Sequence, residues 1–202
     1  RIIFRRSPGG NSLSSDNASS ETNTWIHIVA TLDNNSDVII YINGQIDSTS
    51  THTMDLPYEK ERTYHSVGRG LGALIGGTGR FFNGTIAYLR FWHGTTLDAT
   101  QVSTLYDNRP SLLPDHEFMF QGATTLDGLA DTYDSSITVT NNGATLSSNG
   151  AVFDGVDDYL DLTPWEFGGS MTVETYINIS ETDIAPAIFE FGDEHFVDSV
   201  GL

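Results

Sequence analysis

Apolar and polar residues alternate with a period of two along most of this chain, and a chain patterned in that way folds as sheets that each bury one face. In Trp25-Ile-His-Ile-Val-Ala-Thr-Leu32 the residues Ile26, Ile28, Ala30 and Leu32 share a face. Asp33-Asn-Asn-Ser-Asp37 then favours a turn, Val38-Ile-Ile-Tyr-Ile42 resumes the pattern, and Asn43-Gly44 gives the strongest short-range hairpin signal. Between Met171 and Ile179 the pattern sends Met171, Val173, Ile177 and Ile179 inward and Thr172, Glu174, Tyr176 and Asn178 outward. Shorter strands are expected at residues 63–68, 84–92, 136–140, 144–147, 151–153, 159–162 and 187–191. The set predicts an all-β protein, a two-sheet antiparallel β-sandwich of the jelly-roll type. One short helix interrupts it: Asp98-Ala-Thr-Gln101 has the form of a capping box, and Val102, Leu105 and Tyr106 follow at helical spacing. The prolines of Asn108-Arg-Pro110 and Leu112-Leu-Pro114 mark a linker, which divides the chain into residues 1–113 and 114–202.

The 202 residues suffice for one full sandwich with a sizeable core. With 27 acidic and 9 basic side chains the net charge is -18, which argues against nucleic acid or an anionic membrane surface as main partner and favours calcium or neutral glycans. No segment has the roughly 18 apolar residues of a membrane helix, so no membrane insertion is expected. The absence of cysteine removes disulfides, thiolate metal sites and cysteine catalysis. The chain opens with neither an initiator Met nor a signal sequence, as a fragment of a longer protein would. Asn-X-Ser/Thr acceptors occur at Asn17, Asn34, Asn83 and Asn178, and glycosylation of at least one is expected on a secretory route.

In order, Trp25-Ile-His-Ile-Val-Ala-Thr-Leu-Asp33, Ile40-Tyr-Ile-Asn-Gly-Gln45, Ser66-Val-Gly-Arg69, Phe82-Asn-Gly-Thr-Ile86, Tyr88-Leu-Arg-Phe-Trp92 and the helical segment to Tyr106 resemble the second half of a laminin G-like domain. That domain has the concanavalin A-like lectin/glucanase fold. Gly150-Ala-Val-Phe-Asp-Gly155, Asp157-Asp-Tyr-Leu160 and Ser170-Met-Thr-Val-Glu-Thr-Tyr176 resemble the first half. The resemblance therefore implies that residues 1–113 are the C-terminal half of one domain and residues 114–202 the N-terminal half of the next. A window one period long in a tandem array reads in that order. So does a chain that lends half a sandwich to a neighbouring copy head to tail, and so does a permuted domain closed within one chain.

The resemblance extends to glucanases, which share the fold and carry closely spaced acids. Glu190 and Glu194 share a strand face, but their backbones lie roughly 13 Å apart at about 3.3 Å per residue, beyond the roughly 5–9.5 Å of paired glycosidase carboxylates. His27, His52, His65, His93, His116 and His195 show no metal-ligand spacing, and His27 falls on the polar face of its strand. The Gly-rich segment Gly68-Arg-Gly-Leu-Gly-Ala-Leu-Ile-Gly-Gly-Thr-Gly79 is expected to be a crossover near the sheet rim. Asp154, Asp157, Asp158 and Asp161 supply hard oxygen ligands around a glycine turn, as calcium requires, and turn formation accounts equally for their presence. Calcium-binding relatives carry an acid where this chain has Ala87, which weakens that resemblance. Tyr41, Tyr88, Trp92 and Tyr176 fall opposite the apolar registers of their strands and are the candidates for a glycan platform.

The expected function is that of a non-enzymatic structural or adhesive repeat module, extracellular or on the cell surface. It would be the unit of a tandem array or filament with neighbouring copies as partners. A carbohydrate-binding lectin-like module is the alternative, and a glycoside hydrolase the third.

Overall fold

The computed structural model describes residues 2–7, 12–15, 22–51, 54–70, 80–108, 112–180, 187–193 and 199–202. In chain order the strands of residues 1–113 are β1 (Ile3–Ser7), β2 (Ser12–Ser14), β3 (Trp25–Leu32), β4 (Val38–Ile42), β5 (Gln45–Ser50), β6 (Lys60–Glu61), β7 (Tyr64–Val67) and β8 (Asn83–His93), followed by helix α1 (Ala99–Asn108). Residues 114–202 contribute β9 (His116–Met119), β10 (Val139–Asn142), β11 (Thr145–Ser147), β12 (Gly150–Asp154), β13 (Tyr159–Leu162), β14 (Glu166–Phe167), β15 (Met171–Ile179), β16 (Phe189–Gly192) and β17 (Ser199–Gly201).

Two antiparallel sheets face each other, as the alternation requires. Sheet A has the order β10-β13-β7-β16-β17-β1-β2, and sheet B the order β11-β12-β8-β15-β3-β4-β5 with β9 paired to β8; β6 and β14 form a separate ribbon. Ile26, Ile28, Ala30, Leu32, Val173 and Ile177 of sheet B meet Phe4, Val67, Leu160, Phe189, Phe191 and Val200 of sheet A in one core. Burying side chains of this size stabilises the fold by about 1.5–3 kcal/mol each.

The two parts of the chain interleave. β7 lies between β13 and β16, and β8 between β12 and β15, so each has strands of residues 114–202 on both sides. β15 in turn pairs with β3 over eight residue pairs from Met171↔Leu32 to Asn178↔Trp25. Neither part can therefore assemble either sheet by itself. The sandwich closes within this chain, and β17 lies beside β1 with Gly201 opposite Arg5.

Local chemistry sets the element ends. Asn43 and Gly44 have φ of 50° and 77°, the positive values that a tight β-hairpin turn needs at both central positions. The capping box forms as expected: Asp98 N–H donates to Gln101 Oε1 at 2.9 Å, and Gln101 N–H to Asp98 Oδ1 at 2.8 Å. β10 starts at Val139 rather than 136 because Asp134 Oδ1 accepts from both Ser136 N–H and its hydroxyl, which holds residues 134–137 in a turn. Asn17, His52, His195, Glu194 and residues 71–79 of the Gly-rich segment lie outside the described residues.

Candidate functional site

On the outer face of sheet B, Val102 and Leu105 of α1 and Leu97 just before it pack on Val29, Tyr41 and Trp92. Tyr41 and Trp92 are 2% and 3% exposed, so the display expected of them as a glycan platform is not found. Alternation assigned the face correctly, but a helix covers it. Tyr88 is also buried, with its hydroxyl donating to Glu174 Oε1 at 3.0 Å. Tyr176 remains half-buried, stacked on Trp25 with centroids 4.9 Å apart and on Tyr88 at 6.2 Å, with interplanar angles of 26° and 25°. These rings turn their faces to one another, whereas a sugar stacks on an open ring face.

Beside that row lies a buried charge network that sequence reading missed. Glu174 is fully buried; its Oε1 meets His27 Nε2 at 2.8 Å and its Oε2 accepts from Arg90 at 3.1 Å. Arg90 Nε also donates to Glu117 Oε1 at 2.6 Å, and its guanidinium lies over the Tyr88 ring. Burial alone would raise the Glu174 carboxyl; the hydrogen bond from His27 and the charge of Arg90 outweigh it and hold the group below the usual range. Arg90 is also desolvated, yet Glu174 and Glu117 hold its pKa above the ordinary value. Tyr106 of α1 caps the site, 5.5 Å from the His27 ring. The outward register of His27 and Glu174 was legible in the alternation and the helix in its capping box, but the docking that brings Tyr106 against His27 was not.

At the rim, Asp154, Asp157 and Asp158 bring one carboxylate oxygen each within 4.8 Å of one another. Asp154 Oδ1 accepts from Val156 N–H at 2.8 Å, and Asp158 Oδ2 accepts from Asp154 N–H at 3.0 Å. Partial burial raises the Asp158 carboxyl; the bond from Asp154 N–H opposes this, and the charges of Asp154 and Asp157 add to it. An all-oxygen donor set with crowded like charges fits a hard cation. Asp161 does not join the group. It lies on β13, where its Oδ1 accepts from the Ser66 hydroxyl at 2.8 Å and from Arg69 at 3.0 Å, so a guanidinium already occupies the oxygen expected to face a metal.

The outer face of sheet A carries a row across seven strands: Thr140, Asp161, Ser66, Glu190, Gly201, Arg5 and Ser12. Glu190 is buried and binds Arg5 at 2.6 Å, with the Ser199 hydroxyl at 3.3 Å. Arg5 reaches it across Gly201, where a Cβ would come 3.3 Å from Glu190 Cγ. The strand acid singled out by chemistry is thus a stitch between β16, β17 and β1. Among the acceptor asparagines, Asn34 is exposed at the tip of the β3–β4 hairpin, while Asn83 and Asn178 are half-buried in their strands.

Two packed antiparallel sheets with one covering helix define the class, a β-sandwich. The family model for the concanavalin A-like lectin/glucanases superfamily of laminin G type matches residues 1–103, and the chain belongs to that family. No curated protein and no solved structure is a significant match.

Proposed function

We propose that the chain is a non-enzymatic structural or adhesive module of an extracellular or cell-surface array, with other copies of the same module as its main partner. The interleaving of residues 1–113 and 114–202 carries this reading. Each part presents strand edges that only the other completes. A neighbouring copy offers the same complement in the same register, so head-to-tail exchange extends an array without a new kind of interface. The state of the acids supports a non-catalytic role: Glu117, Glu174 and Glu190 are each held by an arginine, and Glu174 lies below the usual range, opposite to what a general acid needs. Electron microscopy and light scattering on the intact chain test this. Ordered oligomers that lengthen with concentration are expected. Single particles at every concentration, with no mixed species after two labelled copies are unfolded and refolded together, would overturn it.

A second reading, a calcium-dependent carbohydrate-binding module, is favoured by the rim carboxylates beside Val156, which is 69% exposed. Calcium would be held by Asp154, Asp157 and Asp158 and would order the loop that presents Val156. Retention on a glycan array in calcium, lost in chelator and in Asp157→Asn, is its expected outcome. Equal behaviour in calcium and chelator rejects it. In either setting Asn34 is, among the described acceptors, the one best placed to carry a glycan.

A further inference from the structure

Among the described residues, the core contains one imidazole with no hydrogen bond. His65 of β7 is 1% exposed, and neither Nδ1 nor Nε2 has a partner; the nearby Trp165 Nε1 also has none. Three buried polar atoms without partners in one place are costly, because each loses its water without replacement. The ring of His65 lies 4.0 Å from Trp165, 4.6 Å from Phe191 and 5.7 Å from Phe167, centroid to centroid. All three belong to residues 114–202, whereas His65 belongs to 1–113. The imidazole therefore sits on the seam between the two parts.

We propose that His65 is an acid-sensitive latch on this seam: neutral, it lets the two parts close as one apolar core; protonated, it loosens them and promotes exchange with another copy. The exchange step rests on the self-association proposed above. The electrostatics facing His65 point one way. From its own segment comes the Arg62 guanidinium, which lies over the Phe167 ring and donates to the carbonyls of Tyr58, Lys60 and Phe167. From β9 comes His116, 4.3 Å from Trp165, with Asp131 behind it at 3.1 Å. β13, β14, β16 and β8 present Leu162, Phe167, Phe191 and Phe91 to the same core. No carboxylate among the described residues hydrogen-bonds to the ring. Burial, then the charges of Arg62 and His116, lower its pKa well below the ordinary histidine value.

The sign follows from linkage. A histidine whose folded pKa is depressed contributes stability that is complete above its unfolded pKa, about 6.5, and is lost as pH falls below that value toward the folded pKa. Between about pH 6.5 and 5 the folding constant should fall by up to tenfold per pH unit from this group. The variant His65→Phe keeps the ring and removes the proton.

The intact chain and His65→Phe are compared by urea unfolding from pH 7.5 to 5, and two fluorescently labelled copies of each are mixed at both ends of that range. The wild type should lose stability more steeply than the variant, and energy transfer between copies should develop at pH 5 only for the wild type. Equal pH slopes overturn the latch. Different slopes without energy transfer uphold the latch and reject exchange between copies. Should His65→Phe fail to fold, the NMR titration of His65 in the wild type decides: a ring that titrates at or above the ordinary value overturns the proposal, and one that stays neutral until the chain unfolds supports it.

Discussion

The outer faces of the two sheets carry the same kinds of residues in the same alternating register, yet one is sealed and the other open at its edges. On sheet B, α1 packs on Val29, Tyr41 and Trp92, Tyr106 lies against His27, and Arg90, Glu174 and His27 are each at most 3% exposed. On sheet A, the row from Thr140 to Ser12 leaves the Asp161 side chain 41% and the Arg5 side chain 34% exposed. Position in a strand chooses the face of a residue; only what crosses that face decides whether its charge is felt at full strength. An ion pair in water is screened and contributes little, whereas a desolvated pair has no substitute partner when broken.

The largest effect should therefore come from Arg90. Arg90→Met leaves Glu174 and Glu117 buried without their cation and is expected to destabilise by about 3–5 kcal/mol in urea unfolding. A loss as small as that at an exposed pair would end the contrast between the faces. Next, Leu105→Ala removes a 2%-exposed side chain from the helix that seals sheet B, for a cost of about 2–3 kcal/mol, and acrylamide should quench tryptophan emission more strongly as Trp92 is uncovered. Unchanged quenching would show that α1 is not the seal.

The Glu174 carboxyl sharpens the same comparison through pH. Its folded pKa is held down, so its stability is present above the ordinary glutamate value and is lost as pH falls below that value through the folded pKa. Glu174→Gln should flatten the acid limb of the stability curve below about pH 4.3, distinct from the His65 window above pH 5. On sheet A, Arg5→Ala leaves the buried Glu190 carboxylate without this guanidinium and should cost about 1–3 kcal/mol, less than Arg90→Met because Arg5 is partly solvated and pairs with one carboxylate rather than two. Smallest of all, Asp98→Ala removes one cap of α1 at about 0.5–1 kcal/mol, and circular dichroism should show fraying confined to the helix.

Much of the fold was legible because its signals are local. Ile26, Ile28, Ala30 and Leu32 face inward as their alternation requires, the Asn43-Gly44 hairpin closes with positive φ at both residues, and the Asp98–Gln101 box caps the helix. The sites were less legible. Asp154, Asp157 and Asp158 converge because they share one turn, whereas Asp161, three residues further on, has entered a strand and meets Arg69. Tyr41 and Trp92 lie on the face assigned to them, beneath a helix whose docking no local pattern encodes. His65 and Trp165, exactly a hundred residues apart in sequence, carry no motif that announces their contact.

The sequence by itself determined the longer strands, the hairpin and the helix cap, because period, turn residues and capping act within a few residues of one another. Tertiary structure alone decided that β7 and β8 are each enclosed by strands of the other part, that α1 seals sheet B, and that an imidazole sits on the seam. Those outcomes depend on which distant surfaces exclude water from each other, and a side chain's charge, partners and exposure are set by that exclusion rather than by its neighbours in the chain.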